Sequence, residues 1–154
     1  MSKKLRMLAA AAVLASAAIA TQAPSASAWD CTPGYWKNHT SAWPGMATSK
    51  TGVTMNLSPS TRVGDVFPGA NVTADWTLLQ ALQGGGSTGT AGAEMILVRA
   101  ATARLLNAAF DHEKAALDRI PADTSAAIVG GDRATMIALG ARYDTLNNGV
   151  CKTS

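Results

Sequence analysis

The sequence predicts an all-α fold: a small helical domain of about four helices, an irregular aromatic N-terminal segment ahead of them, and one disulfide closing the ends. Apolar residues recur at helical spacing through the second half of the chain, where alanine and leucine dominate. Proline and glycine interrupt the first half too often for long regular elements. The two cysteines, Cys31 and Cys151, stand near the two ends of the region beyond a leader-like segment.

Residues 1–28 read as a signal peptide. Lys3, Lys4 and Arg6 form its positive start, residues 7–20 its apolar stretch, and Ala26, Ser27 and Ala28 the small-residue pattern at which a signal peptidase cuts. The apolar stretch falls short of the roughly 20 residues a bilayer span needs, and no second long apolar run follows. The expected localisation is secreted, extracellular or periplasmic, with no membrane span. Residues 29–154 then make a single secreted helical domain, long enough to hold a core. In an exported chain two cysteines pair, because the oxidising compartment favours the bridge. Closing a loop of this size stabilises a fold by about 4.7 kcal/mol in the chain-entropy model, before strain is subtracted.

Between residues 29 and 72, breakers such as Pro33, Gly34, Pro44, Gly45, Gly52, Pro59, Pro68 and Gly69 leave room for turns and short helical pieces. One short helix is predicted over residues 40–43, stopped by Pro44. Residues 58–61 read as a turn or helix start, and residues 62–67 alternate too briefly for a strand. Thr73 is placed as the cap of a helix running to Gln83, with Asp75 in its first turn and Trp76, Leu79 and Leu82 on one face. Gly84, Gly85 and Gly86 end it, and the stretch to Gly92 reads as a flexible loop.

Residues 93–111 form the longest predicted helix. Ile96, Ala100, Ala103, Leu106 and Phe110 make one stripe, and Leu97, Ala101, Leu105 and Ala108 make another on the opposite side. A helix apolar on nearly all sides is a buried one, so this is the expected centre of the core. Residues 112–120 continue it or form a separate turn before Pro121, and residues 122–129 form the next helix. Asp132 caps a last helix over residues 133–146, with Met136, Ile137, Gly140 and Tyr143 facing inward. Asn147, Asn148 and Gly149 read as its exit. Cys151 comes directly after, so the bridge pins the last helix to the aromatic segment.

Charge narrows the partners. The chain carries 13 Lys and Arg against 10 Asp and Glu, and three of the basic residues lie in the leader. Residues 29–154 are therefore neutral overall and have no global field to steer nucleic acid. Nucleic-acid partners are set aside on that ground.

Chemistry-bearing patterns are sparse. The glycine-rich stretch at 84–92 lacks the Lys-Ser/Thr of a phosphate loop. His39 and His112 lie far apart, and Asp111, His112 and Glu113 are neighbours that point about 100° apart on a helix. What stands out is an aromatic segment: Tyr35, Trp36, Lys37, Asn38, His39 and Trp43. Flat rings with polar edges can stack on a sugar or anchor a protein partner. They can equally plug a segment poor in regular structure onto the helices. Trp36, near the cysteine, is the expected plug. Trp43, beside Pro44 and Gly45, is the expected projecting ring.

The run Cys31-Thr-Pro-Gly-Tyr-Trp-Lys-Asn-His39 resembles the C-T-x-G-Y-W-K-N-H motif of a group of uncharacterised secreted bacterial proteins. Later pieces are similar as well: residues 63–67, 78–86, 99–109 and 146–151. Where those sequences carry Pro-Glu, this one has Thr40 and Ser41. The resemblance implies export, one domain and the disulfide, and it brings no reaction, substrate or cofactor. The expected function is a non-enzymatic extracellular binding or structural module at a cell surface or matrix. Its ligand would be a cell-surface, matrix or glycan component, and no cofactor is expected. The alternatives are a secreted hydrolase with His39 as its base, or a metal-binding protein using His39 or His112.

Overall fold

The structure is a computed structural model that describes residues 31–149 and Cys151. The signal peptide expected over residues 1–28 lies outside the described residues. The chain is mostly helical, as predicted. Six α-helices and a small two-stranded sheet are formed among the described residues.

The long central helix is present as α4, Gly89–Phe110. Every residue from 100 to 109 is buried, as expected of the core helix, and the run includes the polar Thr102, Arg104 and Asn107. Four helices pack on it: α1 (Pro33–Asn38), α3 (Leu78–Gln83), α5 (Lys114–Gly130) and α6 (Arg133–Asn147). Small residues set how close they come. A Cβ at Gly140 of α6 would already touch the Leu97 backbone at 3.5 Å. The expected loop to Gly92 is shorter than predicted, because α4 begins at Gly89. Residue 87 folds back over the first turn of α4, and a Cβ at position 92 would lie 1.7 Å from the Ser87 carbonyl oxygen. Only glycine leaves that space.

Two helix boundaries differ from the sequence expectation for identifiable reasons. The cap of α3 is Thr77, not Thr73. Thr77 Oγ1 accepts from Gln80 N while Gln80 Oε1 accepts from Thr77 N, a reciprocal capping box. Thr73 is buried instead, and its N–H and hydroxyl both donate to Glu94 Oε1, which also accepts from Asn71 N. Helix α5 runs unbroken through Pro121, where a break was expected. A mid-helix proline costs roughly 3 kcal/mol or more. Burial of Leu117, Ile120, Thr124, Ala127 and Ile128 along one face offsets it. At the α4–α5 corner, Arg104 pairs with Glu113 at 2.5 Å, and His112 takes a left-handed backbone with φ 58°.

The N-terminal segment is more regular than the predicted irregular wrap. Thr32 caps α1, accepting from Tyr35 N, and Pro33 occupies its first turn, where its missing N–H is harmless. A 3₁₀ turn at Thr40–Ala42 stands where the short helix before Pro44 was expected. Strands β1 (Gly45–Thr48) and β2 (Thr54–Leu57) then form an antiparallel hairpin pairing Gly45 with Leu57 and Thr48 with Thr54. Alone, such a hairpin is marginal. Its tip is tied to α5: Lys50 N donates to Lys114 O, and Thr51 donates through its N–H and hydroxyl to Asp118. The hydroxyls of Ser49 and Thr51 hold the Asp118 carboxyl below the usual carboxylate range. A one-turn helix, α2 (Val63–Val66), buries Val63 and Val66 next to Phe67.

The two ends of the described chain meet at one buried amide. Asn107 Oδ1 accepts from Cys31 N at 3.0 Å and from Trp36 Nε1 at 2.9 Å. Its Nδ2 donates to Cys31 O at 2.9 Å and to Asn147 Oδ1 at 3.0 Å. Asn147 Nδ2 donates in turn to Ala100 O. Beside this network Cys31 and Cys151 form the expected disulfide, 120 residues apart in sequence.

Three outcomes are expected. Asn107→Ala leaves several buried groups without partners, each worth about 1–3 kcal/mol, and should destabilise the fold by more than about 3 kcal/mol in urea unfolding. Gly85→Ala, in open space, should change it by less than about 1 kcal/mol. For the disulfide, the native chain should show no free thiol, and reduction should lower the melting temperature, as loss of a constraint worth about 2–5 kcal/mol does.

Candidate functional site

Helix α1 divides the aromatic segment into two sides. Pro33 and Trp36 point inward, and Lys37 and Asn38 point outward. Trp36 is 1 % exposed. Its ring lies 6.1 Å from that of Phe110 and meets Tyr35 edge-on at 5.3 Å, and its N–H is used by Asn107. Trp36 is therefore the plug the sequence suggested. It is withdrawn from the binding candidates, because a ring with its face and its donor both buried cannot touch a partner.

Trp43 departs from expectation. It is half-buried rather than projecting, and its Nε1 donates to Trp36 O at 3.0 Å. The last carbonyls of a helix lack intrahelical partners. Trp36 O accepts from His39 N, and the indole adds a second bond that holds its ring against the protein.

The outward side is formed by Tyr35, Lys37, Asn38 and His39. Tyr35 and His39 are stacked, with centroids 4.1 Å apart and planes 13° apart. His39 Nδ1 lies 2.8 Å from Tyr35 O. A carbonyl can only accept, so Nδ1 carries the proton and Nε2 is left as an acceptor in the neutral ring. Asn38 Nδ2 donates to Gly34 O, which leaves Oδ1 to accept from outside. Lys37, Asn38 and His39 are all exposed. No carboxylate or side-chain hydroxyl is hydrogen-bonded to His39 among the described residues. His112 stands elsewhere, at the α4–α5 corner, and no three His, Cys, Asp or Glu gather closely enough for a metal ion among the described residues.

A cleft lies beside the start of α1. It measures about 390 Å³ and is bounded by Thr32 and Pro33, by the glycines at 84–86, and by Arg99 of α4 and Asp144 of α6. The Asp144 carboxyl is half-buried. Burial pushes its pKa up, and the Arg99 guanidinium pulls it partly back. Sequence reasoning missed Arg99 and Asp144. They come from segments far apart in the chain, and each alone looks like an ordinary helix-surface charge.

No family model matches this chain, and no curated protein or solved structure is detectably similar to it.

Truncating the two tryptophans should separate their roles. Trp36→Ala should cost about 3–5 kcal/mol, the range for emptying a large aromatic site. Trp43→Ala should cost less, about 1–2 kcal/mol, since it loses partial burial and one hydrogen bond. Equal losses in thermal melts would contradict the division.

Proposed function

We propose that the protein is a non-enzymatic extracellular binding module, and that its contact face is the outward side of α1: Tyr35, Lys37, Asn38 and His39. The observation that carries this is the division of the motif. Cys31 and Trp36 are consumed by the core network, whereas Lys37, Asn38 and His39 are exposed in succession behind a pre-stacked ring pair. A held ring offers a flat face at low entropic cost. Lys37 adds a cation, and Asn38 Oδ1 and His39 Nε2 add acceptors for hydroxyls. This combination suits a glycan of a cell surface or matrix, particularly one with carboxylates.

Export is part of the proposal. The leader-like residues 1–28 and the resemblance to secreted proteins support it. The disulfide agrees with an oxidising compartment. Among the described residues no helix is long and apolar enough to cross a membrane. The His39 ring is positioned by a backbone carbonyl rather than by a carboxylate or hydroxyl, which favours binding over a hydrolase base.

The test is co-sedimentation with insoluble cell-wall polysaccharide. His39→Ala and Lys37→Ala should each weaken retention about three- to tenfold, the size of one lost stacking or charged contact, with melts within about 1 kcal/mol of the parent. Retention unchanged in both variants would remove this face from the function.

A further inference from the structure

We propose that the cleft between the start of α1, the glycines at 84–86 and the facing sides of α4 and α6 binds a small zwitterion, of the free amino-acid or short-peptide class. This site is separate from the outward face of α1 and does not depend on that assignment.

The charges facing the cleft make the case. Arg99 and Asp144 both line it, yet no direct ion pair joins them. Burial and Arg99 are what act on the Asp144 carboxyl, and among the described residues no hydrogen bond supports it. A partly desolvated carboxylate without a donor is unfavourable, and a ligand ammonium would correct that. Asn148 Nδ2 donates to the Asp144 backbone carbonyl at 2.7 Å. Its Oδ1 is thereby left to accept a second ammonium N–H. Arg99 is exposed and offers a planar fork of donors to a carboxylate. A ligand with one charge would satisfy one side only.

Shape agrees with that chemistry. About 390 Å³ lies at the lower end of small-molecule sites, enough for an amino acid or dipeptide. Pro33, Met95 and Ile96 give the cleft apolar contacts for a carbon skeleton. Gly85 and Gly86 also line the cleft; neither has a side chain, and a Cβ added to either would meet open space. A ligand can therefore approach the backbone there.

The experiment is calorimetric titration of the purified protein with glycine, L-alanine and diglycine. Acetate and methylammonium serve as half-ligands. At least one zwitterion should bind, and both half-ligands should bind at least about tenfold more weakly, as expected for losing one charge-assisted contact. Arg99→Gln and Asp144→Asn should each cost a similar factor while unliganded melts stay near the parent. His39→Ala should leave binding intact. No heat from any zwitterion would overturn the proposal. So would acetate or methylammonium binding as well as glycine, or full binding by both charge variants.

Discussion

The structure depends on one carboxamide. Asn107 sits in the last turn of α4, flanked by buried leucine and alanine, where a polar group is costly unless fully bonded. It is fully bonded: two acceptor positions and two N–H donors all have partners. Three of the four bonds go to Cys31 and Trp36, and the fourth goes to Asn147. One side chain thus fixes the start of the described chain and the end of its last helix together. Cys31 is held by both its N–H and its carbonyl, and Asn147 lies one turn before Cys151. The two sulfurs are placed by hydrogen bonds, and the covalent bond makes that placement permanent.

The candidate sites inherit their geometry from this point. Trp36 reaches Asn107 from α1, so the helix has one orientation, and Lys37 and Asn38 must face away. Trp43 then bonds the Trp36 carbonyl and ties down the chain after α1. The cleft is built from the same residues' neighbours. Thr32 follows Cys31, Arg99 precedes Ala100, and Asn148 follows Asn147; Asp144 lies one turn earlier on α6. The groups facing the cleft are therefore one covalent step, or one helical turn, from groups locked in the core. Such backing is what keeps a small polar site in a fixed arrangement.

How legible the structure is in the sequence depends on the range of the interaction concerned. Helix α4 is readable because alanine and leucine fill seven of the ten buried positions from 100 to 109. Helix α6 is readable because Asp132 caps it through its own side chain. The disulfide comes from counting cysteines. Helix α1 is legible in principle, since Thr32 and Pro33 are a good helix start, but six residues carry no periodicity. The hairpin is not legible: its strands have four residues each, and its tip is secured by Asp118 from far along the chain. Pro121 misleads because a continuous buried face outweighs local propensity. Asn107 and Asn147 give no warning. A helix-interior asparagine and a terminal one look neutral until a third segment brings Cys31 between them.

That silence of the asparagines is explained by what they do that leucines would not. At the α4–α6 contact Gly140 lies against Leu97, α4 carries a run of alanines, and Met136 and Tyr143 supply the large buried side chains of α6. Apolar side chains of about the right size can repack against a run of alanines, so burial alone specifies the alignment less sharply than a hydrogen-bonded pair. A buried amide pair is satisfied in one register only. Asn107 must meet Asn147, and Asn147 must meet the Ala100 carbonyl. Sliding α6 by one turn would leave several buried polar groups unpaired, each a loss of about 1–3 kcal/mol. Leucines at these positions would add burial and remove that penalty on misalignment. Arg99 and Asp144 would then no longer be held to face one cleft, nor Cys151 to meet Cys31. The polar core thus sets the alignment on which both the bridge and the cleft depend.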